Sequence, residues 1–260
     1  MAAAGDFTLL PWTQALIGVI ATALLALGAV LTRALTPLAG AVAAVFGAVI
    51  VVFAGFPFLA LVILFVGASV LATRYRFEEK RRQNLQEGRA GERGVSNVVA
   101  HIILPTGLAV AGGLSSPLLS PATTALLFAS ALSFGAADTF ASEFGVLTGH
   151  ARSILTGKAV PPGTNGGISL NGEVFALAAS ATTAFVGLGL FVVFSAPLPN
   201  AILFVLVVTA AGFLACQVDS VLGEAFENRG ILTKGSTNFL GMLAAVVFAG
   251  AVLVLAGVPL

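Results

Sequence analysis

Residues 122–146 read ATTALLFASALSFGAADTFASEFGV, an apolar run that closes on two carboxylates, Asp138 and Glu143. The run is long enough to cross a bilayer as one helix, which needs about 20 residues. The next stretch is polar and short: Arg152, Lys158 and then PPGTNGG at 161–167. A charged side chain inside a span costs about 2.5–3.5 kcal/mol or more, so such residues mark function. Carboxylates hold divalent cations, lysine pairs with phosphate, and glycines let backbone N–H groups approach an anion. The grouping points to nucleotide or phosphate chemistry at a membrane surface.

The rest of the chain supports a membrane setting. Of its 260 residues 58% are apolar and 9% are charged, against about 25% charged in a soluble domain. The runs are long and rich in Ala, Val, Leu, Phe and Gly, without the alternation of a transmembrane barrel strand. The expected class is therefore all-α, a polytopic helical membrane protein of about eight spans. Their expected limits are 12–31, 36–54, 57–73, 96–114, 122–146, 167–195, 201–222 and 237–258. A re-entrant hairpin is the alternative around Gly55-Phe56-Pro57. Residues 1–11 lack the Lys/Arg cluster of a secretory signal. Cys216 is the only cysteine, which excludes an internal disulfide; it reads as a packing residue.

Basic residues near span ends lie on the cytoplasmic side. With eight spans, one side receives Arg33, the segment 74–94, Arg152 with Lys158, and Arg229 with Lys234. All 12 Lys and Arg fall there. The expectation is a cytoplasmic motif face, both termini outside, and a prokaryotic plasma membrane. The chain divides into scaffold spans at 1–73, a charged connector at 74–94 and a catalytic membrane domain at 95–260. The connector, RYRFEEKRRQNLQEGRAGERG, reads as a solvated element with a helix at 74–87 ended by Gly88.

From Gly94 onward a weak parallel repeat is visible over 94–258. Ser96-Asn97, Thr164-Asn165 and Thr237-Asn238 each follow a glycine at an expected helix start. Asp138-Thr139-x-x-Ser142-Glu143 and Asp219-Ser220-x-x-Gly223-Glu224 each close a returning helix. Ordinary N-capping explains a single Asn site. Three on one face, beside intramembrane carboxylates, would form a receptor for a polyphosphate, because helix N-termini bind phosphate.

Asp138 and Glu143 lie about 140° apart on a regular helix, so they do not share a face, whereas Asp138 and Ser142 do. Asp219 ends another span at similar depth, which makes Asp138 with Asp219 the natural magnesium pair. Magnesium takes one or two carboxylates plus substrate phosphates and water. The competing reading pairs these acids with Arg152, Lys158 or Arg229 as anchors. Lys158 and the turn Gly163, Thr164, Asn165, Gly166, Gly167 suit a phosphate cradle, although the spacing is neither a P-loop nor GxGxxG. A tight interhelical turn is the competing reading. His101 and His150 have no Cys or His partner in sequence, which argues against zinc. No basic-aromatic pattern suggests nucleic acid. The roles of Glu173 and Glu224 stay open.

The strings SNV at 96–98, ADTFASEFG at 137–145, KAVPPGTNGG at 158–167, VDS-x-x-G at 218–223 and TNFL at 237–240 resemble the integral-membrane family that includes plant phytyl-phosphate kinase, with bacterial and archaeal members. The resemblance covers about residues 94–258; the first three spans match only in hydrophobicity. It implies a kinase that converts an isoprenyl monophosphate to the diphosphate. The motif order also looks like that of membrane CTP-dependent lipid kinases and CDP-lipid synthases.

On that resemblance the expected donor is a nucleoside triphosphate, CTP in the first instance, with Mg2+. Asp138 and Asp219 would hold the metal, and Glu143 would complete its shell or orient the acceptor. Lys158 and Gly163–Gly167 would clamp the donor phosphates. Ser96, Asn97, Asn165, Thr237, Asn238, Ser220, Thr139 and Ser142 would add donors. A CDP-lipid-forming nucleotidyltransferase and a transporter for an anion or lipid phosphate remain alternatives. Lipid chain length, the donor base and homo-oligomerisation stay open.

Overall fold

The computed structural model describes residues 12–88, 91–114 and 117–258. Expectations for residues 1–11, and hence for the N-terminus, lie outside the described residues, as does the extreme C-terminus. The helices are α1 (Trp12–Leu31), α2 (Pro37–Phe53), α3 (Phe56–Arg74), α4 (Phe77–Arg82), α5 (Val95–Gly113), α6 (Pro121–Gly145), α7 (Leu170–Val193), α8 (Ala201–Leu222) and α9 (Lys234–Leu255). Six of them, α3 and α5 to α9, are long and apolar enough to cross a membrane; Ala15–Leu31 within α1 and all of α2 are apolar but shorter. The polytopic helical class therefore holds.

Three departures matter. The expected helix at 74–87 is divided: α3 runs on to Arg74, Arg76 takes a left-handed conformation, and α4 spans only Phe77–Arg82. The span expected from 167 starts at Leu170, capped by the Ser169 hydroxyl, which accepts from Gly172 N–H. Residues 167–168 instead form an edge of a small antiparallel sheet. Its order is β2-β1-β3, with β1 Ala151–Ser153, β2 Ala159–Val160 and β3 Gly167–Ile168. The prolines and glycines between β2 and α7 end one extended piece and start the next, which a helix there would not allow.

The middle of the bundle is α6. Every residue from Thr123 to Ala137 is buried, with α3, α5, α7, α8 and α9 packed around it. Its sequence explains this position. Without a hydrophobic drive between helices in lipid, association relies on close backbone approach at small residues. A Cβ at Gly212 of α8 would sit 2.1 Å from Ser133 Oγ, so only glycine permits that α6–α8 crossing. Some buried hydroxyls return their protons to their own helix: Ser130 of α6 donates to Leu126 O at 2.9 Å and Thr183 of α7 to Ala179 O at 2.9 Å.

The polar connections gather at one end of this bundle. Arg93 N–H donates to Ala34 O and Thr36 N–H to Arg93 O, tying the α1–α2 turn to the segment before α5. Ser153 Oγ donates to Glu224 Oε1 at 2.6 Å, joining the sheet to the end of α8. Lys234, at the start of α9, reaches Glu87 at 2.8 Å. These contacts tie the α1–α2 turn, the segment before α5, the sheet and the start of α9 to one another at that end.

Candidate functional site

That polar end encloses a cavity of about 320 Å³. The closing turns of α6 and α8 supply Asp138, Ser142, Glu143, Asp219 and Ser220; the first turns of α7 and α9 supply Glu173, Lys234 and Asn238. The roof is Asn84–Glu87 on one side and Pro162–Ser169 on the other. Asp138 and Asp219 therefore meet in one cavity although they stand on different helices.

The walls are strongly acidic. Glu87, Asp138, Glu143, Glu173, Asp219 and Glu227 all line the cavity, with Lys234 as the lining lysine. Most of these carboxylates are already engaged. Glu87 takes Lys234; Glu143 takes the Lys80 ammonium at 2.6 Å; Glu173 accepts from Gln217 Nε2 at 2.8 Å; Glu227 accepts from Asn165 Nδ2 at 3.1 Å. Asp219 Oδ1 is buried without a hydrogen-bond partner. The His101 Nε2 lies 3.9 Å from Asp138 Oδ2. An orphaned buried carboxylate oxygen is costly unless something cationic or protic completes it. The pair Asp138 and Asp219 thus fits a divalent cation that keeps water and substrate oxygens as its other ligands. Among the described residues no group of three or more His, Cys, Asp or Glu side chains is assembled for a metal.

Outside the spans, charge is tuned by pairing. Burial alone would raise the Glu87 carboxyl, but Lys234, Arg93 and His101 outweigh it and hold it below the ordinary value. Burial lowers the Arg93 guanidinium, against the pull of Glu87, Glu143 and Asp138.

Several expected roles change. Lys158 is exposed beside β2 and does not line the cavity, whereas Lys234 does. Glu143 lines the cavity, with its Oε2 held by the Lys80 ammonium at 2.6 Å. Asn165 does not start a helix; it lies in the glycine turn and donates to Glu227, so the middle member of the repeat is missing. Asn97 accepts from Arg93 Nη1 at 3.0 Å, and with Ser96, Thr139 and Thr237 it stays out of the cavity walls. Asn238 does line the cavity, yet as a buried residue inside α9, 3.4 Å from His101 Nε2. Gly163–Gly167 line it as expected. Gly166 adopts φ +77, and a Cβ there would lie 2.3 Å from Glu224 Cβ, so the turn presses against the end of α8 through a position only glycine fits.

The connector is the main surprise. Lys80 is 1% exposed and donates to Ala72 O at 3.1 Å and Thr73 O at 2.9 Å, capping the carbonyl end of α3 as well as binding Glu143. Arg93 is buried, and Glu87 stands in the cavity wall. The segment 74–94 is thus not simply solvated, and its sequence hides the fact, because a mixed-sign run carries no sign of which charges turn inward. Glu224, whose role was open, latches the sheet by accepting from Ser153 Oγ and Leu155 N–H.

The family model described as "Integral membrane protein DUF92" matches residues 20–246. A Synechocystis protein described as an uncharacterized membrane protein is 31% identical over 247 residues, covering 91% of this chain and 90% of its own. Protein PGR of Arabidopsis thaliana is 30% identical over 193 residues, 68% of this chain and 67% of its own. An uncharacterized membrane protein of Methanocaldococcus jannaschii is 28% identical over 202 residues, 76% and 77% of the two chains. Plant, bacterial and archaeal relatives are what the motif resemblance led one to expect. No solved structure matches the chain.

Proposed function

The chain belongs to the DUF92 family of integral membrane proteins, and we propose that it is a membrane-embedded phosphotransferase. The acceptor is an isoprenyl monophosphate of the phytyl or geranylgeranyl type, the product its diphosphate. The donor is a nucleoside triphosphate, CTP in the first instance, and the chemistry takes place at the cytoplasmic face. In this reading α1 and α2 cross the bilayer with the six longer helices, and both termini lie outside.

One observation carries the reading: an acidic cavity in which every lining carboxylate but Asp138 and Asp219 is bound by a nearby donor or cation. A polyphosphate would be repelled by such walls unless a cation accompanied it. Asp138 and Asp219 would hold Mg2+, which when bound neutralises the donor phosphates and orients the transferred group. The chain's own groups do the remaining work. Lys234 faces the donor phosphates, held at the rim by Glu87. The Gly163–Gly167 turn offers backbone N–H groups, and Ser220 and Asn238 add side-chain donors from the helix ends, with the Ser142 hydroxyl, which donates to Thr139 O at 3.0 Å, beside them as an acceptor. An acceptor phosphate oxygen attacks the terminal phosphorus, the bond to the bridging oxygen breaks, and the nucleoside diphosphate leaves with that electron pair. No general base is required, because the acceptor is already anionic; positioning and charge neutralisation suffice.

The test is metal-dependent nucleotide binding to purified protein. Magnesium should raise the affinity for the triphosphate in the wild type, and Asp138→Asn and Asp219→Asn should each remove that enhancement while the thermal transition persists. Equal enhancement in both variants would take these residues out of the site.

A further inference from the structure

A second cavity, about 420 Å³, lies between α1, α2, α3 and α5. Ligand pockets span about 300–1,000 Å³. Leu25, Leu59, Val62, Phe65 and Val66 give it an almost wholly apolar wall. Thr22, Thr32 and Ser69 interrupt that wall with hydroxyls, and Arg93, Asn97 and His101 bring its nitrogen-bearing side chains.

Arg93 is 7% exposed. Its Nη1 donates to Asn97 Oδ1 at 3.0 Å and its Nη2 to Thr73 Oγ1 at 3.4 Å, while its Nε has no hydrogen-bond partner. A guanidinium carries five donors in a planar fork that matches phosphate, so a buried fork with an unfilled edge beside an apolar slot suits an anionic head on an apolar chain. His101 stands in the partition. Its Nδ1 lies 2.8 Å from Asn97 O and so donates to it. Its Nε2 faces Asp138 Oδ2 at 3.9 Å and Asn238 Nδ2 at 3.4 Å, both walls of the acidic cavity. The slot therefore ends one imidazole away from the metal-binding pair.

We propose that this slot is the tail subsite for the lipid acceptor, a single-chain phosphate whose head is received by Arg93 and delivered past His101 to the acidic cavity. The proposal rests on the kinase reading for the identity of the acceptor. It gives helices α1 to α3 a task in recognition rather than in scaffolding alone. Chain length is then selected by the slot's depth, and phosphate over alcohol by the unfilled edge of Arg93.

Gly67 provides the test, since it lines the slot and a Cβ there meets nothing within 4 Å. A Phe at that position would fill the slot without a backbone clash. Gly189 of α7 is equally open and lies outside the slot, so Gly189→Phe is the control. Native mass spectrometry of the detergent-purified protein would score binding of geranylgeranyl monophosphate, dimethylallyl monophosphate, geranylgeraniol and inorganic phosphate. The wild type should hold the long-chain monophosphate at least about tenfold more tightly than the other three, a gap of about 1.4 kcal/mol. Gly67→Phe should erase that preference, Gly67→Leu should reduce it, and Gly189→Phe should leave it intact. Arg93→Gln should lower binding of the monophosphate toward that of the alcohol.

Undiminished long-chain binding in Gly67→Phe, or equal binding of long and short monophosphates to the wild type, would overturn the slot. Since binding is read apart from turnover, the two proposals fail separately. A protein that binds the long chain through Gly67 and Arg93 but transfers no phosphate keeps the slot and loses the kinase. One that transfers phosphate equally well as Gly67→Phe keeps the kinase and loses the slot.

Discussion

Lys80 Nζ lies 2.6 Å from Glu143 Oε2, with both side chains buried. The lysine comes from a six-residue helix in the connector and the glutamate from the last turn of the central helix. Because Lys80 also binds two terminal carbonyls of α3, one ammonium fixes α3, α4 and α6 together at the polar end. Removing one partner of a buried pair leaves the other uncompensated, at about 3–5 kcal/mol. Lys80→Met should therefore lower the thermal transition sharply in detergent. The double variant Lys80→Met/Glu143→Gln should recover part of the loss, and a cycle of the four proteins would show a coupling well above that of a surface pair, about 0–1 kcal/mol.

Lys234 lines the cavity and Lys158 does not. Lys234→Ala should weaken triphosphate binding by about tenfold, a loss of about 1.4 kcal/mol. Lys158→Ala should change it little. Equilibrium titration with a fluorescent nucleotide would separate the two, and the reverse order would return the donor clamp to the sheet hairpin.

Much of the frame was legible in the chain. Long apolar runs locate α3 and α5 to α9, because a span of about 20 residues leaves little freedom in where a helix sits. Asp138 and Asp219 were legible as well, since a carboxylate closing an apolar run demands a reason. Less was legible where contacts between distant segments decide. Lys80 and Arg93 differ in no local way from Arg81 and Arg82, yet the first two are buried and the latter are exposed. Asn165 sits in a Gly-Thr-Asn string like a helix cap, but the sheet claims the residues after it, and Ser169 does the capping. Lys234 bears on the sequence reading only through orientation, and nothing in the sequence joins it to Glu87, 147 residues away.

Gly166 is the most constrained turn residue in the site. Gly166→Ala would force a Cβ into Glu224 and place a side chain at φ +77, where an L residue costs about 1–2 kcal/mol before any clash. The loop should loosen from the end of α8, seen as faster proteolysis within 154–167 and as weaker nucleotide binding, with the helical transition preserved.

The Glu87–Lys234 contact should depend on pH with a definite sign. The Glu87 carboxyl is held below its ordinary value in the folded state. Its contribution is thus fully present above the ordinary carboxylate range and is lost as pH falls through the depressed value. Glu87→Gln should flatten the acid limb of the stability profile and leave the region around neutral pH parallel to wild type. A denaturation series from mildly alkaline to strongly acidic pH would read this directly.

The most direct measurement of the central claim is product analysis. Purified protein would be incubated with magnesium, CTP or ATP, and geranylgeranyl or phytyl monophosphate, and the products identified by mass spectrometry. A prenyl diphosphate together with a nucleoside diphosphate is the expected outcome, both absent with Asp138→Asn. A CDP-lipid with pyrophosphate, or no product from either acceptor with a folded protein, would contradict it.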